Sequence, residues 1–166
     1  MSEDIRKMID KVKNFKQPVN ENNGINDFLT LSHEDIDSIV SNNEELDEYQ
    51  AENAVEALIN LQNVLKQNDK LILYRILDVE DESKIDIQQL GNHFTTDSNI
   101  FYDDVTMFDI GIKNNANLFL VKLSTPIRNI DIEETVDANI NYPFEKEIFL
   151  EKLDGIEILS VTKFEK

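Results

Sequence analysis

Apolar residues recur at helical spacing over the first two-fifths of the chain and gather into short runs over the rest. Ile5, Met8, Ile9, Val12 and Phe15 lie three or four apart on a charged background, which predicts a short amphipathic helix. Gln17-Pro18 stops it, and Asn20 to Gly24 reads as a polar linker. Ser32-His33-Glu34-Asp35 has the form of a helix cap, with the Ser32 hydroxyl offered to first-turn amides and Asp35 at the positive end of the dipole. A short helix to about Val40 is expected after it. Asn42 or Asn43 is the expected cap of the next helix, with Glu44 and Glu45 in its first turn. Its apolar positions are Leu46, Tyr49, Val55, Leu58, Ile59, Leu61 and Leu65, and Ala51, Ala54 and Ala57 allow close packing. The helix should end near Gln67-Asn68-Asp69.

After Lys70 the period changes. The run Leu71 to Leu77 is apolar apart from a single Arg75, as in a buried central strand. Ile87 to Leu90 reads as a helical turn, and Gly91-Asn92 leads into a brief strand from His93 to Thr96. Val105 to Ile112 and Asn117 to Leu123 read as strands separated by a hairpin turn at Lys113-Asn114-Asn115. Glu145 to Leu150 and Ile156 to Phe164 read as a last hairpin around Leu153-Asp154-Gly155. The expected architecture is one α+β domain over residues 1–166. A helical part covers 1–69, and a mixed, largely antiparallel sheet covers 70–166.

Composition narrows the function classes. With 166 residues and 40% hydrophobic content the chain can bury a core. It has no apolar run of about 18 residues and no apolar stretch near its acidic start, so neither a membrane span nor a secretory signal is expected. The absence of cysteine excludes disulfides, Cys-ligated zinc and thiol catalysis, while His33 and His93 have no metal-binding spacing. A cytoplasmic, metal-free protein follows as the default.

The formal charge is −18, and no Lys or Arg occurs between Lys16 and Lys66. Like-charge repulsion argues against free binding to DNA or RNA. The acidic face has two readings: a solvated surface, or one that imitates nucleic acid and docks on a basic protein.

Four glycines (Gly24, Gly91, Gly111 and Gly155) leave no room for a GxGxxG fingerprint or a phosphate-binding loop, and no GxSxG occurs. Three features remain as candidates for chemistry: Arg75 within an apolar strand, the hydroxyl pair Thr95-Thr96, and Glu145-Lys146-Glu147. Each has a plainer reading, respectively an ion-paired structural arginine, β-forming residues, and a solvated pair on an edge strand.

Taken in order, these segments resemble the Arg–Ser/Thr–Glu class of mono-ADP-ribosyltransferases. Leu73-Tyr74-Arg75 matches the family's first core strand. Gly91 to Asp97, with Phe94 before Thr95-Thr96, matches its hydroxyl-bearing strand. Phe144 to Leu150 carries the E-x-E pair and continues through a turn into Gly155-Ile156-Glu157-Ile158-Leu159-Ser160-Val161. The run from Asn117 to Asp131 resembles the family's preceding strand, which ends in a turn before the loop leading to E-x-E. The resemblance spans roughly Lys70 to Phe164. It departs from the pattern at Asp97, where the family has a third hydroxyl, and in lacking a Gly after Arg75.

The resemblance implies an ADP-ribosyltransferase sheet core and a transfer of ADP-ribose from NAD, without a metal, to a protein acceptor. Glu147 would stabilise the ribosyl cation, and Glu145 would receive the acceptor, with Lys146 pointing away if the three form a strand. A carboxylate at 145 suits a guanidinium that stays protonated below about pH 12, which implies arginine. Arg75 would hold a phosphate or ribose of NAD. Thr95 would bond within the nicotinamide-ribose pocket and orient Glu147, and Thr96 would support the fold. Phe101, Tyr102 or Phe108 would stack on nicotinamide, and Tyr142, on the loop before E-x-E, would help to position substrate. Small size, acidity and lack of cysteine suit a phage-encoded or bacterial effector acting on a basic or nucleic-acid-binding host protein. The alternatives are a non-enzymatic, nucleic-acid-mimicking inhibitor and a transferase fold without activity.

Overall fold

The computed structural model describes residues 25–102 and 117–164. The amphipathic segment expected from Ile5 to Phe15, the strand expected from Val105 to Ile112 with its turn at 113–115, and Phe108 lie outside the described residues. Among the described residues three helices come first: α1 (Ile25–Leu29), α2 (His33–Ser41) and α3 (Glu48–Gln67). Strands β1 (Lys70–Asp78), β2 (His93–Thr95) and β3 (Leu118–Pro126) follow, then helix α4 (Ile132–Asn141), β4 (Glu147–Phe149) and β5 (Glu157–Lys163). The fold is α+β. The strands form one sheet in the order β4-β2-β1-β3-β5, and every described pairing is antiparallel. Among the described residues no helix is long and apolar enough to cross a membrane.

Local chemistry explains the helix limits. Ser32 caps α2 in a full capping box, the Asp35 amide donating to Ser32 Oγ and the Ser32 amide to Asp35 Oδ2, each at 3.0 Å. The cap of α3 is Asp47, not Asn42 or Asn43, because Asp47 and Gln50 have the reciprocal spacing and exchange both hydrogen bonds. Glu44 and Glu45 therefore precede the helix. Asn43 is buried and instead accepts the Glu45 amide at 3.1 Å, forming a turn of its own. The inner stripe of α3 is Ala54, Leu58, Leu61, Gln62 and Leu65, whereas Tyr49 stands 74% exposed. Buried Gln62 donates to the carbonyls of Phe28 and Leu31, so the C-terminal end of α1 is satisfied from α3.

Helix α4 replaces the loop expected after Asp131. Asp131 accepts the Glu134 amide as a cap, and Ile132, Val136 and Ile140 recur every fourth residue on the buried face. These side chains share one core with Leu71, Leu73 and Leu77 of β1 and Val121 and Leu123 of β3. Full burial of such an aliphatic side chain contributes about 1.5–3 kcal/mol.

The expected last hairpin does not form. β4 and β5 lie at opposite edges of the sheet, β4 beside β2 and β5 beside β3. Val161 and Ile158 of β5 pair with Val121 and Leu123, while Ile148 and Leu150 are buried in the core. The turn through Leu153-Asp154-Gly155 therefore carries the chain across the sheet instead of folding it back.

Candidate active site

β1 pairs with β3 along its whole length, from Lys70↔Pro126 to Asp78↔Leu118, but its described register with β2 is the single pair Tyr74↔Thr95. Alternation places Arg75 on the face that carries Leu73 and Leu77. Its guanidinium turns toward β2 and donates from Nη1 to the His93 carbonyl at 2.8 Å, with the Phe94 ring 5.8 Å from its carbon centre. Gly91 is required beside it. With φ at 69°, a Cβ there would lie 3.0 Å from Arg75 Nη1. Burial lowers the Arg75 pKa from its ordinary value, and the Glu147 carboxylate opposes that shift. Arg75 Nε is buried and has no hydrogen-bond partner.

A cavity of about 240 Å³ opens at this point. Tyr74, Arg75 and Ile76 line it from β1, His93, Phe94 and Thr95 from β2, and Glu147 from β4. Glu145 and the 3-10 turn bearing Ile100 and Phe101 complete the wall. Five of the residues singled out in the sequence thus share one wall: Arg75, Thr95, Phe101, Glu145 and Glu147.

The others lie elsewhere. Thr96 lines a second, larger groove, and its amide donates to the Lys146 carbonyl at 3.2 Å. Tyr102 packs against Phe164, with ring centroids 5.1 Å apart, and does not line the cavity. Tyr142 is 55% exposed, packs edge-on against Phe144 and also lies off the cavity wall.

Glu145 and Glu147 reach the same cavity by a route other than strand alternation. Glu145 ends a 3-10 turn over Pro143–Glu145, and Lys146 adopts a left-handed conformation with φ at 48° before β4 begins at Glu147. For a non-glycine residue that conformation costs on the order of 1 kcal/mol or more. Two contacts hold it. Thr95 is 3% exposed, and its hydroxyl donates to the Glu145 carbonyl at 2.8 Å. Lys146 Nζ meets Asp97 Oδ2 at 2.9 Å, and this bond is the main reason the Asp97 pKa lies below its ordinary value. Asp97, the departure from the family pattern, is therefore the anchor of Lys146.

β4 is an edge strand whose outer backbone groups need partners. Helix α4 supplies them through two buried polar side chains. Asn139 Nδ2 donates to the Glu147 carbonyl at 2.8 Å, and the Phe149 amide donates to Thr135 Oγ1 at 2.9 Å. From the other side, β2 pairs Thr95 with Glu147 and His93 with Phe149. The Glu147 backbone is thereby fixed from both flanks. Thr135 and Asn139 were legible only as the polar members of an unrecognised helix.

His93 completes the site. Its Nδ1 is hydrogen-bonded to Glu147 Oε1, and its ring packs edge-on against Phe149 with centroids 4.2 Å apart. The Glu147 side chain is 18% exposed and keeps its second oxygen for another partner. For the NAD-dependent reaction that the sequence resemblance implies, removing the His93 ring should lower turnover about 10- to 100-fold through misplacement of the carboxylate, with little change in KM for NAD. His93→Asn, whose amide nitrogen can occupy the place of Nδ1, should recover most of that loss in steady-state kinetics where His93→Ala does not. Equal activity in both variants would exclude a positioning role.

Burial raises the Glu145 pKa above its ordinary value, and the Glu147 charge adds to the effect. The linkage has a definite sign. A raised folded-state value favours the protonated form, so the penalty is absent below the ordinary glutamate range and complete above the raised value. Glu145→Gln should therefore raise the melting temperature at pH 7 by about 1–3 °C and leave it unchanged near pH 3. Scanning calorimetry at the two pH values checks this, and a lowered melting temperature at pH 7 would contradict it.

Among the described residues, no group of three or more His, Asp or Glu side chains is placed to hold a metal ion. Compared with known protein families, characterised proteins and solved structures, the chain matches none of them.

Proposed function

We propose that this chain is an ADP-ribosyltransferase that moves ADP-ribose from NAD to an arginine side chain. The reading rests above all on one observation. Arg75, Thr95, Glu145 and Glu147, matched to the family by their order in sequence, border a single cavity together with the aromatic Phe101. At about 240 Å³ the cavity falls below the ~300–1,000 Å³ usual for enclosing a whole drug-sized ligand. That size suits the nicotinamide-ribose end of a dinucleotide, with the adenylate end outside.

In this reading the guanidinium of Arg75, on the cavity wall, meets an oxygen of the ribose or pyrophosphate. Phe101 offers a ring to nicotinamide. The bond from ribose C1′ to the nicotinamide nitrogen breaks, and nicotinamide leaves neutral with the electron pair. The ribose is left as an oxocarbenium-like centre, which Glu147 stabilises from its free oxygen as carboxylates do in glycoside hydrolysis. A guanidine nitrogen of the acceptor then forms the new bond to C1′ and gives its proton to Glu145. A carboxylate whose pKa is raised is the better proton acceptor for that step. Thr95 acts through the Glu145 carbonyl and shapes the turn that aims both acids.

The test is nicotinamide release from NAD by the purified chain, followed by labelling of a bacterial lysate with NAD tagged on its adenylate half. Release together with label on arginine supports the proposal. A chain that neither cleaves NAD nor transfers label refutes it.

A further inference from the structure

A second cavity of about 1070 Å³ lies between helix α3 and the segment leading into β4. Among the described residues Glu147 alone lines both this groove and the smaller cavity. One wall is the outer stripe of α3, where Tyr49, Asn53, Glu56 and Asn60 follow one another at helical spacing. The facing wall carries Phe144, which is 51% exposed. The core stripe of α3 meets the groove at Leu61, whereas Tyr49, Asn53, Glu56 and Asn60 lie outside that stripe.

The chemistry of the lining is specific. Its carboxylates Asp47, Glu56, Asp97 and Glu147 outnumber Lys70 and Lys146, and Lys146 is already engaged by Asp97. The asparagine side chains of Asn53 and Asn60 offer both donors and acceptors, as an extended peptide backbone requires. The exposed rings of Tyr49 and Phe144 provide faces for guanidinium or ammonium groups. From Tyr49 to Asn60 the helix runs about 16 Å, the length of about five extended residues.

We propose that this groove docks the acceptor protein and takes an extended basic segment whose arginine passes Glu147 into the site. The inference rests on the transferase reading, and it adds where the acceptor binds and what charge it carries. A basic segment is favoured because the groove adds to the field of a chain with net charge −18. Entry from this side brings the acceptor nitrogen past Glu147 toward Glu145, which lines the smaller cavity and not the groove.

Glu56→Lys reverses a charge at an exposed groove position that is absent from the cavity wall. Glu52→Lys makes the same charge change on α3 outside the groove and serves as the control. With a lysine-rich decapeptide carrying one arginine, Glu56→Lys should raise KM at least tenfold. NAD hydrolysis and transfer to free arginine should stay within twofold, and Glu52→Lys should behave as wild type. Equal loss with peptide and free arginine, or equal effects of the two charge reversals, would overturn the docking role. Anisotropy of the fluorescent peptide without NAD gives the independent arm. Binding weakened at least tenfold by Glu56→Lys alone supports the groove even if NAD is never cleaved, whereas unchanged binding removes it even if NAD is cleaved.

Discussion

Glu147→Gln should abolish both nicotinamide release and transfer to arginine, by about 10³-fold or more, while circular dichroism and melting temperature remain close to wild type. The size follows from the role. The amide keeps the shape of the side chain and one acceptor oxygen but loses the negative charge that, in the proposed reaction, opposes the cation at ribose C1′. Loss of one preorganised electrostatic partner costs about 10²–10³ in rate where it has been isolated, and a full charge beside a cationic centre should cost more. The fold should tolerate the change because the backbone of Glu147 is held independently of its carboxylate, by Asn139 from α4 and by the pairing with Thr95. Ordinary turnover in Glu147→Gln would end the transferase assignment.

Glu145→Gln should separate the two activities. Transfer to arginine should fall about 100-fold or more, while NAD hydrolysis persists within about threefold. Glycosidic cleavage in the proposed sequence needs the charge at Glu147, whereas removal of the guanidinium proton needs a base at 145. Water, the acceptor in hydrolysis, loses its proton readily to solvent once bonded to C1′, so the missing base matters far less. Nicotinamide release and arginine labelling, measured in parallel on the same samples, give the ratio directly. Simultaneous loss of both would show that the acids act as one unit. The same variant carries the stability prediction, so a rise in melting temperature at pH 7 accompanying the loss of transfer would place the cost of Glu145 on the folded state.

Much of the molecule was legible along the chain. Ser32 and Asp35 marked a helix start because a capping box needs only local geometry. The change of period at Lys70 located β1 because a strand buried against helices loses its polar alternation. α4 also had local signals, an Asp131 cap with Glu134 three residues on and Ile132, Val136 and Ile140 at spacing four, but these were overshadowed by the strand-like run before them. The last two strands have the sequence of a hairpin but do not form one, because two apolar runs around a Gly turn look the same whether the strands pair or part. Only the contest for partners decides, and β2 and β3 each won one of them.

The sequence alone determined the class of the fold, the Ser32 cap of α2, the place of the central strand, and which side chains were candidates for chemistry. These depend on neighbours within a few residues, where hydrogen-bond geometry and the helical and strand periods act directly. Tertiary structure decided the convergence. Arg75 enters the cavity because β2 leaves β1 after one pair, and Glu145 joins Glu147 because Lys146 takes a left-handed turn held by Asp97 and Thr95. His93 reaches Glu147 only across the β2–β4 ladder, 54 positions away in sequence. Contacts of that range depend on which strands win each other in the folded sheet, and local periodicity carries no record of that competition.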